Sequence, residues 1–449
     1  MKMTFKTAAA AVGGYTNYDG EFTTVFSDSR DIKAGGIFIA LKGPNFDGHD
    51  FVSSLKGTGA VGAIVKNTFK TDFPAIYVED THEAMRKLAA YYRNQFDIPV
   101  IGVTGSVGKT TTKEMIYYAI STKYNTLKNV GNLNNTIGLP STLFNLNENY
   151  EAAVLEMATS IHGEMKILTE ILRPTIGVIT AIGTAHIETL GSREGILKEK
   201  LEITKGMKPG SPLVINIDND ILQNVDLPDY KVVTFGIANK TADVHAVSME
   251  AAADSTTFVV NAFGKTAEVF VPAAGYHNVY NALTAIAVSH LLGVDLADSI
   301  KGIANYVPAG MRQKVVKKDG ITRIIDCYNS SPEACSAALT VLRGMQGERK
   351  IAVLGDMLEL GSFSAQSHAD VGYYAASNEV DLLFTYGEEA LGIAQAAKRG
   401  GVPDVRSFKD SDSLSKAIKK EIREGDVLLF KASRGMKMET VIEKVFGEV

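Results

Sequence analysis

Lys109 sits between Gly108 and Thr110 in the run Thr104-Gly105-Ser106-Val107-Gly108-Lys109-Thr110-Thr111, a set of residues suited to holding phosphate. The glycines let backbone N–H groups close round phosphate oxygens, and a helix starting there adds a favourable dipole. Lys109 would reach the outer phosphates, and the Thr110 hydroxyl would hold Mg²⁺. The strict pattern G-x-x-x-x-G-K-[ST] wants glycine at 103, where this chain has Val103, so Gly105 opens a tighter loop. The competing reading is a turn carrying a surface lysine. The flanks argue against it: Ile98–Ile101 reads as a buried strand and Glu114–Ile120 as a helix, the context a phosphate loop needs. A nucleoside triphosphate is the expected ligand.

Other candidates depend on where strands end. Glu156 directly follows the apolar strand Ala152–Leu155, and a carboxylate there suits a Mg²⁺ ligand beside the phosphates. His186 lies just past the apolar stretch Ile176–Ile182, but a lone histidine is more often a loop or core residue. Lys198 and Lys200 read from composition as a solvated helix face. Asn278 and Asn281 fall three apart at a helix start, on one face. Their amides suit the edge of an adenine ring, while Asn278 as a helix cap fits equally well. Asp326 and Asp356 each follow a strand, and acidic residues at two carboxyl ends point to a cleft.

The elements that must position these residues form three α/β blocks, as expected of 449 residues, since single cores stop growing near ~250–300 residues. Residues 1–98 hold short strands at Gly36–Leu41, Ala60–Val65 and Ala75–Val78, then a helix from Thr81, its N-cap, to Phe96. Residues 99–309 carry the phosphate loop, buried strands at Ala152–Leu155, Ile176–Ile179 and Leu213–Ile215, alternating short strands over 243–271, and a helix from His277 to Leu292. Residues 310–449 place strands at Ile321–Ile325, Lys350–Leu354, Leu382–Tyr386 and Val427–Phe430 with helices between, a doubly wound pattern.

Composition excludes several classes. Hydrophobic content of 45% and charged content of 22% describe an ordinary globular chain, and a net charge of −5 with no basic block argues against nucleic acid. No apolar run reaches membrane-spanning length, and no signal peptide is expected at the N-terminus. Two cysteines are too few for a disulfide framework or a thiolate metal site, so the cytoplasm is the expected compartment.

Taken in order, these stretches resemble the Mur ligases, the ATP-dependent enzymes that build the peptidoglycan stem peptide. The resemblance runs through Asp28-Ser29-Arg30, Ala40-Leu41-Lys42-Gly43, Phe46-Asp47-Gly48-His49, Thr104–Thr112, Gly131–Gly138 with Asn134-Asn135-Thr136, His186, Gly275–Ala282 and Ala432-Ser433-Arg434-Gly435. Gly131–Pro140, Tyr328-Asn329 with Pro332, and Gly355–Gly361 resemble the branch that adds D-alanyl-D-alanine to UDP-N-acetylmuramoyl-tripeptide. Val107 and Ser330-Ser331 depart from the family pattern, which has a small polar residue and Ala-Asn there.

The resemblance implies three domains: a small α/β N-terminal domain for the UDP moiety, a P-loop NTPase-like central domain for ATP with a parallel sheet plus a small antiparallel sheet, and a Rossmann-like C-terminal domain for the dipeptide. It implies that Lys200 is carbamylated and, with Glu156 and His186, helps hold two Mg²⁺ ions. Asn281 and Asn278 would meet adenine, Asp326 the ribose and Arg312 the phosphates. Lys109, His186 and Lys200 become the catalytic set. Ser29, Arg30, Lys42, Phe46, Asp47, Gly48, His49, Asn134, Asn135, Thr136, Tyr328 and Asn329 become substrate contacts in a cytoplasmic bacterial monomer. Two alternatives stand beside this: another ligase of the same fold, a different stem-peptide step or a folylpolyglutamate-type enzyme, or a nucleotide switch that binds partners. Against the switch, no Asn-Lys-x-Asp guanine-reading motif is present.

Overall fold

The computed structural model describes residues 1–449. Four strands, Thr24–Phe26, Gly36–Ile39, Gly62–Lys66 and Ala75–Val78, pair in chain order into a parallel sheet near the N-terminus. Helix Thr81–Arg93 follows it. Thr81 is not the N-cap of this helix. Asp80 caps the helix through the Glu83 N–H at 2.8 Å, while Thr81, the first helical residue, donates its hydroxyl to the Ala40 carbonyl at 2.9 Å. Aspartate is at least as good an N-cap as threonine, and the buried Ala40 carbonyl needed a donor.

The central sheet has nine strands. Val100–Thr104 lies inside it, flanked by Ala152–Glu156 on one side and Ile176–Ile179 on the other, all parallel. Every residue of these three strands is buried, as expected of a parallel sheet covered on both faces by helices. Pro212–Asn216 and Lys231–Gly236 extend the sheet in parallel. Then come the antiparallel strands Val244–Ala251, Thr256–Ala262 and Lys265–Val271, hydrogen-bonded onto the parallel part through only two residue pairs. In Thr256–Ala262 buried residues alternate with half-buried ones, which is why that region read as short alternating strands.

The last sheet has six strands. Asp426–Lys431 lies between Ile321–Ile325 and Arg349–Gly355, followed by Leu382–Tyr386 and Asp404–Phe408, all parallel. Lys314–Lys318 closes one edge antiparallel. That strand and Asp404–Phe408 were missed because edge strands rich in charge, such as Lys-Val-Val-Lys-Lys, lack the apolar run of a buried strand. Residues of the central and last blocks line one cleft between them.

Candidate functional site

The phosphate loop links strand Val100–Thr104 to helix Lys109–Ile120. Val103 is fully buried and pairs with both neighbouring strands, so the strand runs past the position where the strict pattern has glycine. The turn is made later, by Gly105 at φ +139° and Gly108 at φ +82°. A β-carbon on Gly105 would lie 2.1 Å from Thr180 Oγ1, so only glycine fits. Thr104 is spent on structure, donating its hydroxyl to the Met157 carbonyl at 2.9 Å. Ser106 has a buried hydroxyl with no partner at the cleft wall. Lys109 Nζ folds back onto the Gly105 and Ser106 carbonyls at 2.9 and 3.1 Å, contacts that phosphate oxygens can replace. Burial lowers its pKa, Glu156 opposes that shift and Arg312 adds to it.

Glu156 ends its strand 2% exposed. Thr110 Oγ1 donates to its Oε2 at 2.7 Å and Asn134 Nδ2 to its Oε1 at 2.9 Å. A threonine hydroxyl against a carboxylate beside a phosphate loop is the hard-oxygen donor set that fits Mg²⁺. No three His, Cys, Asp or Glu side chains cluster closely enough to hold a metal by themselves.

His186 adopts φ +62° and places Nδ1 2.6 Å from Glu359 Oε2, which comes from the last block. Lys200 is not on a solvated face. It is 1% exposed, with Nζ 2.5 Å from Thr159 Oγ1 and 3.2 Å from the Thr159 carbonyl. Burial, assisted by the nearby Lys109 charge, brings its pKa down to about 7.

Helix Tyr276–Leu291 is capped by Gly275, which removes the cap reading for Asn278. Asn278 and Asn281 are both buried, Asn281 Nδ2 donates to Asn278 Oδ1 at 3.2 Å, and Thr112 Oγ1 donates to Asn281 Oδ1 at 2.8 Å. Across the cleft, Arg312 stacks on Tyr328, 4.1 Å from the ring centroid. Asp326 pairs with Lys431 at 2.8 Å, and Lys431 also donates to the Asn329 carbonyl at 3.1 Å. One cavity of about 440 Å³ is lined by Ser106, Val107, Gly108, Lys109, Thr110, Thr111, Asn134, Glu156, His186, Asn278, Asn281, Arg312, Asp326, Tyr328 and Asn329.

Lys431, Gln313 and Glu333 are among the cleft residues missed from sequence. Lys431 is 2% exposed at the end of an apolar strand, where a buried lysine signals an acidic partner. Gln313 gave no signal; its Oε1 accepts from His277 Nε2 and Asn278 Nδ2, each at 3.0 Å, across the junction of the two blocks. Glu333 accepts from Thr184 across the same divide.

The remaining candidates lie elsewhere. Asn135 Oδ1 accepts from Gly138 N–H at 2.8 Å at the start of helix Gly138–Leu143, with Thr136 beside it. The N-terminal set occupies loops at the carboxyl ends of the first sheet. Arg30 pairs with Asp28 at 2.7 Å close to Ser29, Lys42 is exposed, and Phe46 is 56% exposed. His49 has both ring nitrogens engaged, Nδ1 with Asp47 at 2.6 Å and Nε2 accepting from Lys66 N–H at 3.0 Å. It anchors the loop, as does Gly48, where a β-carbon would meet Leu41 backbone at 2.7 Å.

A phosphate loop facing a doubly wound domain across a cleft, with a parallel-sheet block ahead of both, is the build of a three-block nucleotide-binding protein. Family models described as "Mur ligase family, catalytic domain", "Mur ligase middle domain" and "Mur ligase, glutamate ligase domain" match residues 21–93, 103–289 and 311–434. The chain belongs to the Mur ligase family. The UDP-N-acetylmuramoyl-tripeptide--D-alanyl-D-alanine ligase of Bacillus subtilis is 37% identical over 99% of this chain and 98% of its own length. A crystal structure of MurF from Acinetobacter baumannii matches with a TM-score of 0.92 at 32% identity, over 100% of this chain and 99% of that one. The MurF ligase of Thermotoga maritima in complex with ADP matches at 0.85 and 31% identity, over 95% and 98%.

Proposed function

We propose that this chain joins D-alanyl-D-alanine to UDP-N-acetylmuramoyl-tripeptide, cleaving ATP to ADP and phosphate. The observation that carries the reading is the single cleft that gathers phosphate loop, Glu156 and His186 from one sheet with Arg312, Asp326, Tyr328 and Asn329 from the next. The end-to-end likeness to a relative of that activity supports the same reading.

Residues 1–98 take the UDP moiety, with Ser29, Arg30, Lys42 and Phe46 at the carboxyl ends of their parallel sheet, where open α/β sheets bind ligands. Asp47, Gly48 and His49 shape that loop. Residues 99–309 bind ATP. The amides of Gly105 to Gly108 and the Ser106 hydroxyl cradle the phosphates, with Val107 and Thr111 at the wall, and Asn278 and Asn281 meet the adenine edge. Residues 310–449 close over it, Asp326 meeting the ribose, Arg312 the phosphates, and Tyr328 and Asn329 the incoming dipeptide. Asn134, Asn135 and Thr136 border the tripeptide end. The chain is read as a monomer, and its nucleotide substrates suit the bacterial cytoplasm.

A carboxylate resists nucleophiles, so it first attacks the γ-phosphorus and becomes an acyl phosphate; the dipeptide amine then displaces phosphate from the acyl carbon. Lys109 offsets the repulsion of two anions and the charge developing between them. Thr110 and Glu156 would hold one Mg²⁺, and His186 with a carbamylated Lys200 a second. Bound Mg²⁺ supplies further positive charge at the transferring phosphoryl group. With a pKa of about 7, Lys200 offers a neutral amine to CO₂, and the N–C bond formed with loss of a proton leaves an anion where a cation stood. Because water would hydrolyse the acyl phosphate, closure of the cleft precedes amine attack.

Phosphate release over a panel of UDP-muramoyl peptides, with and without D-alanyl-D-alanine, tests the reading. Release should need both substrates, and Lys109→Ala should lower it by at least roughly a hundredfold with the fold intact. ATP cleavage indifferent to the muramoyl nucleotide would overturn it.

A further inference from the structure

Glu333 lies in the first turn of helix Pro332–Gly344 and lines the cleft from the side of the last sheet. Its Oε1 accepts from the Thr184 N–H at 2.9 Å and the Thr184 hydroxyl at 3.0 Å, both on the central domain. Its Oε2 is buried and has no hydrogen-bond partner. A carboxylate oxygen without a donor is costly to bury, and more so when charged. Arg193 feels the Glu333 charge but makes no hydrogen bond or ion pair with it: its terminal nitrogens bond Asp220 at 2.8 and 2.6 Å and the Ile182 carbonyl at 2.9 Å, and its Nε is buried without a partner. The helix N-terminus favours the negative charge but supplies no donor to Oε2. On the same helix the small side chains of Ala334, Ala337 and Ala338 also line the cleft.

We propose that Glu333 Oε2 receives the ammonium group of the incoming dipeptide, whose methyl groups lie against Ala334 and Ala337. This rests on the ligase reading above and names the residue that selects a free amine as the nucleophile. An ammonium satisfies an unpaired carboxylate oxygen with a charge-assisted hydrogen bond. It also puts the attacking nitrogen in the cleft where the acyl phosphate forms. A mere tie between domains needs only Oε1, and an amide would serve it as well as a carboxylate.

Steady-state kinetics of the full chain carrying Glu333→Gln separate the two, because glutamine keeps an acceptor for Thr184 and loses the charge. The KM for D-alanyl-D-alanine should rise roughly ten- to hundredfold, with those for ATP and the muramoyl nucleotide within about twofold. N-acetyl-D-alanyl-D-alanine, which has no ammonium, should inhibit wild type and variant equally. An unchanged dipeptide KM, or an equal loss toward all three substrates, would overturn the proposal. Should Glu333→Gln fail to fold, Ala337→Leu decides: filling the alanine face should raise the dipeptide KM about tenfold or more, and no change overturns the idea. Absence of dipeptide-dependent amide formation in the wild type would instead remove the ligase reading itself.

Discussion

Lys200 illustrates how far a residue's surroundings override its type. On paper it is one lysine among several on a helix; in the fold it is sealed against Thr159 with Lys109 close by. Its pKa falls from an ordinary 10.5 to about 7. Between those values the unfolded chain carries a proton at Lys200 that the folded chain lacks, so this residue's contribution to stability rises with pH across that window, by up to about 1.4 kcal/mol per pH unit. Below pH 7 the full cost of burying the charge is present. Lys200→Met removes this term, so its stability advantage over wild type should be larger at pH 7 than at pH 9. Urea unfolding in CO₂-free buffer measures the difference, and a gap independent of pH would contradict the assignment.

At the scale of elements, the phosphate loop works because one strand, two glycines and one helix agree. Val103 completes the buried strand, Gly105 turns it at a φ that other residues rarely adopt, and Gly108 starts the helix that carries Lys109 and Thr110. Gly105→Ala would force a methyl into Thr180, whose hydroxyl already bonds the Val107 carbonyl at 2.6 Å. Stability should fall by about 1–3 kcal/mol, with nucleotide affinity reduced at least roughly tenfold. Chemical denaturation and isothermal titration with ATP would check both, and unaltered ATP binding would mean that the loop does not hold the phosphates in this way.

The whole molecule matters because no single domain completes the site. Side-chain polar contacts from the last block reach the central one at three places: Glu359 to His186, Gln313 to His277 and Asn278, and Glu333 to Thr184. A nucleotide bound between the sheets should therefore stabilise the chain as a unit. At a hundred times its Kd, ATP adds about 2.7 kcal/mol to stability. Arg312→Ala removes a cation supplied by the last block, so a tenfold weaker Kd at the same ATP concentration should trim that increment by about 1.3 kcal/mol. Thermal unfolding with and without ATP reads this directly, and an undiminished increment would place Arg312 outside the nucleotide site.

By itself the sequence determined what is local. The phosphate loop, the buried strands and Glu156 at a strand end follow from periodicity, glycine placement and side-chain chemistry within a few residues, and the family pattern supplied the order of the blocks. Tertiary structure decided what depends on residues far apart in the chain. It took Lys200 from solvent to a buried position, engaged His49 with Asp47 in its own loop and with Lys66 on the neighbouring strand, and moved Asn278 from cap to helix interior. It also brought Lys431, Gln313 and Glu333 to a cleft that no stretch of sequence contains. The reason is that burial and charge pairing depend on distance through space, and a chain fixes that distance only once its sheets have packed against one another.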